Sequence, residues 1–248
     1  MSRIALISCM VMNRELSRLA SESPNIVRTW WLRQGLHDTP QILHDELQRL
    51  IDEIEAENEK LKKQHRFDQI VLGYGLCSNG VIDLKTRSLP LVVARCDDCI
   101  SLFLGSADRY RELFRKYPGI YWYTPGWMEQ SFTPSLENYE AMRQEYLEEY
   151  DEDTADYLME CNDAWIANYK ACGFITCPLC DNGPYECQAR KSAQDFHWDF
   201  HLEEGDLGLM RTLIDGPWDD ARFLTCPPHS RIVPEYSERK FSSVPLED

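Results

Sequence analysis

A chain of 248 residues that is 43% apolar and 27% charged has the composition of a folded protein, which excludes wholesale disorder. Against 26 Lys and Arg stand 42 Asp and Glu, and the net charge of −16 repels phosphate backbones and anionic lipid, so neither a nucleic-acid partner nor a membrane is expected. No apolar run approaches the roughly 20 residues a membrane helix needs. Arg3 is followed only by a short strand-like run and not by a signal-peptide core, so a cytoplasmic protein is expected.

The first predicted element is a strand over residues 4–8 that ends at Cys9. Gly35-Leu36-His37-Asp38-Thr39-Pro40 then leads into the clearest helix, residues 41–66, where Leu43, Leu47, Leu50, Ile54 and Leu61 make one apolar stripe. Pro40 suits its first turn. Further strands are expected over residues 67–74, 89–94 and 119–123, with a helix over 106–117. Continuous apolar strands separated by helices predict a three-layer α/β core over residues 1–130, with a mainly parallel sheet and helices on both faces. The composition shifts near residue 130. Residues 137–170 are acidic and read as one or two helices with a solvated charged face. Residues 172–187 are Cys-rich, and a helix over 206–214 and a strand over 221–225 follow. Residues 131–248 are thus expected as a helical and Cys-rich part packed on the same core.

Ten cysteines are the anomaly. A leaderless chain of this length is not expected to be a disulfide scaffold, which leaves metal binding, thiol chemistry or plain burial. Cys161 and Cys226 are the candidates for plain burial. Ligands of parallel sheets bind beyond the carboxyl ends of the strands. There the sequence places Cys9, then Cys77 within Gly73-Tyr74-Gly75-Leu76-Cys77-Ser78-Asn79-Gly80, then Arg95-Cys96-Asp97-Asp98-Cys99. The fourth strand ends in Thr124-Pro125-Gly126-Trp127. Cys9, Cys77 and Cys99, with Cys96 competing for the third place, suit zinc or an iron–sulfur cluster with one position open to substrate.

Asp98 and His37 are the candidate proton carriers, and Arg95 is the candidate partner for the aspartates. Tyr74, Gly75 and Trp127 are candidate cofactor contacts; the glycine allows close backbone approach. Cys172, Cys177, Cys180 and Cys187 offer thiolates for a second metal, and the pair Cys177–Cys180 has the spacing of a redox dithiol. His197 and His201 would share one face of a helix, but without a helical His-Glu-x-x-His pattern they do not indicate a metalloprotease.

Several of these segments, taken together, resemble the domain of unknown function 1638, a bacterial and archaeal family. They are Gly73 to Gly80, the run from Asp98-Cys99-Ile100 to Leu104-Gly105-Ser106, and Tyr123-Thr124-Pro125-Gly126-Trp127. The opening strand with Cys9, Gly35-Leu36-His37-Asp38 and Gly216-Pro217-Trp218-Asp219 also fit. The likeness spans most of the chain and is densest over residues 67–127. It implies a cytoplasmic protein, often of anaerobes, whose gene accompanies corrinoid-dependent methyltransferases acting on methylated amines. The Cys172 to Cys187 segment lies outside the family pattern. The expectation is a metal- or iron–sulfur-dependent enzyme acting on a small molecule at the sheet edge. One alternative is a non-catalytic accessory protein or metallochaperone of a corrinoid methyltransferase system, docking through acidic residues 145–156. The other is a thiol–disulfide redox protein.

Overall fold

The computed structural model describes residues 1–247, apart from the side chains of Asn162 and Asp163. In chain order the elements begin with β1 (Arg3–Cys9), α1 (Asn13–Glu22), β2 (Ile26–Leu32), α2 (Pro40–Lys60), β3 (Gln69–Gly73), β4 (Lys85–Thr86) and β5 (Leu91–Ala94). They continue with α3 (Cys99–Phe103), α4 (Ala107–Lys116), β6 (Ile120–Tyr123), α5 (Pro125–Gln130), α6 (Leu136–Glu149), α7 (Glu152–Asp163) and β7 (Ala171–Ile175). The last are α8 (Gly183–Asp195), β8 (Asp199–Glu203), α9 (Gly208–Asp215), β9 (Phe223–Cys226), β10 (Ser230–Pro234) and β11 (Phe241–Pro245). The chain forms two compact units, one of residues 1–110 with 206–248 and one of residues 111–205. Among the described residues no helix is long and apolar enough to cross a membrane.

The first unit is built on a mainly parallel α/β sheet of strand order β2-β1-β3-β5-β9. Its first four strands are parallel and β9 is antiparallel. Ile4, Leu6, Ile7, Ile70, Leu72, Leu91 and Val93 are all fully buried, as strands covered on both faces require. The registers Ser8↔Gly73 and Leu72↔Val93 bring the carboxyl ends of β1, β3 and β5 nearly level. The stripe Leu43, Leu47, Leu50 and Ile54 of α2 is buried as expected, with α2 against β1 and α9 against β3 and β5. A small antiparallel sheet, β11-β10-β4, completes this unit.

The second unit holds a parallel three-stranded sheet of order β6-β7-β8 with α8 packed on it. Tyr123, Cys172, Phe174, Ala189, Ala193 and Trp198 form its core. Residues 119–123, expected in the cysteine-bearing sheet, therefore pair elsewhere: β6 lies beside β7. An apolar run announces a strand but not its neighbour. The strands β2 and β7 have no counterpart in the sequence reading, because Arg28 and Thr29 interrupt the first and Cys172-Gly173 the second. Cys226 is buried, but Cys161 is exposed on α7, contrary to expectation. His197 and His201 share no helix. His197 takes a left-handed turn with φ 56°, and His201 lies on β8 with its ring stacked 3.7 Å from that of Tyr117.

Glu55 ties α2 to the turn between β4 and β5. It is 3% exposed and accepts hydrogen bonds from the N–H groups of Ser88 (2.7 Å), Leu89 (2.9 Å) and Arg87 (3.0 Å) and from the Thr86 hydroxyl (3.0 Å). Burial pushes its pKa up, but these donors together outweigh burial and hold it below the usual carboxylate value. A folded-state pKa below the unfolded one stabilises the fold above about pH 4.3 and loses that stabilisation as pH falls through the folded value. Glu55→Gln is expected to lower stability by about 2 kcal/mol at neutral pH, with the gap to wild type closing in denaturant titrations run toward pH 3.

Candidate functional site

Three strand ends meet at the carboxyl edge of the five-stranded sheet. β1 delivers Cys9 directly. β3 runs out at Gly73 into the loop that carries Tyr74, Gly75 and Cys77. β5 runs out at Ala94 into residues 95–98, and Cys99 opens α3. The two loops are zipped together: the Leu76 N–H donates to the Cys96 carbonyl and the Cys77 N–H to the Asp97 carbonyl, both at 2.8 Å. Gly75 makes this approach possible, since a Cβ there would stand 2.8 Å from the Cys96 oxygen and 2.9 Å from its sulfur. Cys77, Ser78 and Asn79 then follow one another in the left-handed region, with φ of 44°, 57° and 69°. Such a residue without glycine's freedom costs about 1–2 kcal/mol, and strain of this kind gathers at functional sites. Hydrogen bonds from the Gly80 N–H to the Cys77 carbonyl and from the Ile82 N–H to the Asn79 carbonyl, both 3.0 Å, hold the turn.

The Tyr74 hydroxyl is buried and set against the Cys9 thiol, short of a well-formed hydrogen bond. Burial, and then the proximity of Cys9, Cys77 and Cys99, pushes its pKa well up. Those three cysteines thus share the sheet edge with one buried phenol, while Cys96 is packed behind Gly75. Burial is also the main influence on the thiols. It raises Cys9, takes Cys77 up to about 12, and puts Cys96 and Cys99 well above their ordinary value. Backbone N–H groups oppose it at two sulfurs: those of Val11 and Met10 at Cys9, and those of Gly75 and Cys99 at Cys77. The thiols are gathered without converging. Among the described residues, no three Cys, His, Asp or Glu side chains stand ready to hold a metal ion.

Asp98 caps α3, accepting from the Ile100 N–H at 3.0 Å and from the Tyr110 hydroxyl at 2.9 Å. Burial raises its pKa against the pull of these donors. The sequence reading missed Tyr110, since nothing in a helix twelve residues downstream marks it as a partner. Arg95, expected to pair with the neighbouring aspartates, turns away instead. Its guanidinium donates to the carbonyls of Asp220 (2.9 Å), Arg239 (2.9 Å) and Phe241 and to the Asp220 carboxylate (3.0 Å). Asp97 meets Lys240, also unforeseen, at 2.6 Å.

The other candidates are placed elsewhere. His37 sits on the short turn after β2, with Nε2 3.4 Å from Asp38 Oδ1. Trp127 lies on α5 of the second unit, its indole N–H donating to the Tyr121 hydroxyl at 3.3 Å. Cys172 is a core residue of β7 whose thiol meets the Ala189 carbonyl at 3.5 Å, and burial takes its pKa up to about 12. Cys177 and Cys180 follow β7 in a turn closed by Asn182, which accepts from the Cys177 N–H at 2.7 Å and donates to both cysteine carbonyls. Cys187 is exposed on α8.

The family model described as a protein of unknown function (DUF1638) matches residues 31–214. No curated protein and no solved structure matches the chain. The tight fit at Gly75 is directly testable. Gly75→Ala is expected to force the two zipped loops apart and lower stability by about 1–3 kcal/mol, read from denaturant unfolding, with faster labelling of Cys96 by a thiol reagent.

Proposed function

The chain belongs to the DUF1638 family, and we propose that it is a metal-dependent enzyme in which Cys9, Cys77 and Cys99 hold zinc or an iron–sulfur cluster. The observation that carries this reading is the arrival of three cysteines, from the ends of three adjacent strands, at one edge of the sheet beside the buried Tyr74. The donor set fits such a group. Thiolates suit soft metals, and N–H groups turned toward the sulfurs of Cys9 and Cys77 are the contacts that tune thiolate-held clusters. The Tyr74 hydroxyl still lacks a well-formed hydrogen bond. A free nucleophilic cysteine fits less well. It needs a depressed pKa, and burial moves these thiols the other way, whereas a coordinating cation removes the proton outright.

When bound, the group would supply Lewis-acid activation at an open position. The chain's own residues would do the rest. Tyr74 would orient whatever reaches the three sulfurs. Asp98, held by Tyr110 and the first turn of α3, would keep or accept a proton beside Cys77 and Cys99. In this reading Cys96, whose sulfur is packed behind Gly75, would not be a ligand. In the same proposal the enzyme works in the cytoplasm, on a small methylated compound or thiol of the corrinoid-linked methyl metabolism that the family resemblance implies.

The test is anaerobic purification followed by iron, sulfide and zinc analysis on one sample. Wild type is expected to carry the group. Cys9→Ser, Cys77→Ser and Cys99→Ser should each lose about tenfold or more of its affinity, and Cys96→Ser should keep it. Full retention in all three variants, or an empty wild type after reconstitution, overturns the reading.

A further inference from the structure

We propose that Lys240 is a positioning residue of the thiol site, fixing the Cys96–Cys99 turn through its ion pair with Asp97. This rests on the metal-site reading above.

Lys240 stands in the connection between β10 and β11. Its N–H donates to the Ser237 carbonyl at 3.0 Å, and its carbonyl accepts from the Glu235 N–H at 2.9 Å. It adopts φ 64°, a left-handed conformation that a lysine takes at a cost. Its side chain is 15% exposed, and Nζ lies 2.6 Å from Asp97 Oδ1. The residues on either side grip the same loop: the carbonyls of Arg239 and Phe241 both accept from the Arg95 guanidinium, whose side chain is 1% exposed. Three successive residues of the hairpin tip thus hold the two residues that flank Cys96.

The grip reaches the thiols through the backbone. The Asp97 carbonyl accepts the Cys77 N–H, so the lysine that holds the Asp97 carboxylate also steadies the strained turn carrying Cys77. Arg95 pairs with Asp220 and Lys240 with Asp97, so each of the two residues that flank Cys96 is held by an ion pair. The hairpin lies beyond residues 31–214, so this support comes from outside the stretch that the family model matches.

The experiment compares wild type with Lys240→Met, Lys240→Arg and the equally sized Asp97→Asn by amide hydrogen exchange over residues 74–80 and 95–101, and by titration with cobalt(II). Lys240→Met and Asp97→Asn are expected to exchange about fivefold faster in those segments. They should bind cobalt about 10- to 100-fold more weakly, with Lys240→Arg close to wild type. Equal exchange and equal cobalt affinity in Lys240→Met overturn the proposal. So does an Lys240→Arg protein as impaired as Lys240→Met, because the ion pair would then not be the cause. A wild type without thiolate–cobalt absorption would sink the metal reading instead, and the exchange comparison would still decide whether Lys240 positions the loop.

Discussion

The thiol edge depends on how closely β1 and β3 approach where both end. Ser8 pairs with Gly73, and a Cβ on Gly73 would stand 2.3 Å from the serine oxygen and 2.6 Å from its Cβ. With no side chain in the way, the buried Ser8 hydroxyl lies 3.3 Å from the carbonyls of both Gly73 and Cys9. A buried hydroxyl demands such partners, so the pair fixes register as well as distance. The register places Cys9 beside the residue that follows Gly73, which is Tyr74, and the phenol and the first thiol meet as a consequence. A slip of one residue would turn every side chain of β1 to the opposite face and dissolve the constellation.

The edge is also where the fold carries its costs. Three successive left-handed residues, a half-buried carboxyl at Asp98 and a fully buried guanidinium at Arg95 lie within a few residues of the cysteines. Each is matched by specific partners. The zipper from Leu76 and Cys77 to residues 96 and 97 holds the strained turn, Tyr110 and the start of α3 hold Asp98, and carbonyls and Asp220 satisfy Arg95. Removing one partner of such a set costs more than the bond is worth, because the remaining charge or dipole stays buried and unmatched. The carboxyl-terminal hairpin is therefore an integral part of the edge, although it forms a separate antiparallel sheet with β4.

What the sequence disclosed follows from how local each signal was. The strands β1, β3 and β5 are continuous apolar runs, and α2 has a regular stripe, so period and burial named them. The placement of Cys9, Cys77 and Cys99 after β1, β3 and β5 at one sheet edge was also legible, since parallel strands put their carboxyl ends on one side. β2 was not, because an edge strand half open to solvent can hold Arg28 and Thr29. The pairing of β6 with β7 was invisible because neighbour choice is settled by tertiary packing. Within the site, Tyr110 and Lys240 escaped for the same reason. Their partners Asp98 and Asp97 lie 12 and 143 residues away, and no spacing rule reaches that far. Arg95 misled because proximity in sequence suggested a partner that the backbone turns it away from.

Charge joins these features into one argument. Without a cation the edge is close to neutral where it is most buried: its thiols keep their protons, and burial favours the protonated form of Asp98. A buried edge tolerates this state, since no anion has to be desolvated. The same edge cannot hold three thiolates unless positive charge arrives with their formation. In the proposed metal site, Lys240 would hold the loop from the hairpin side while a bound cation would take up the charge as the protons leave.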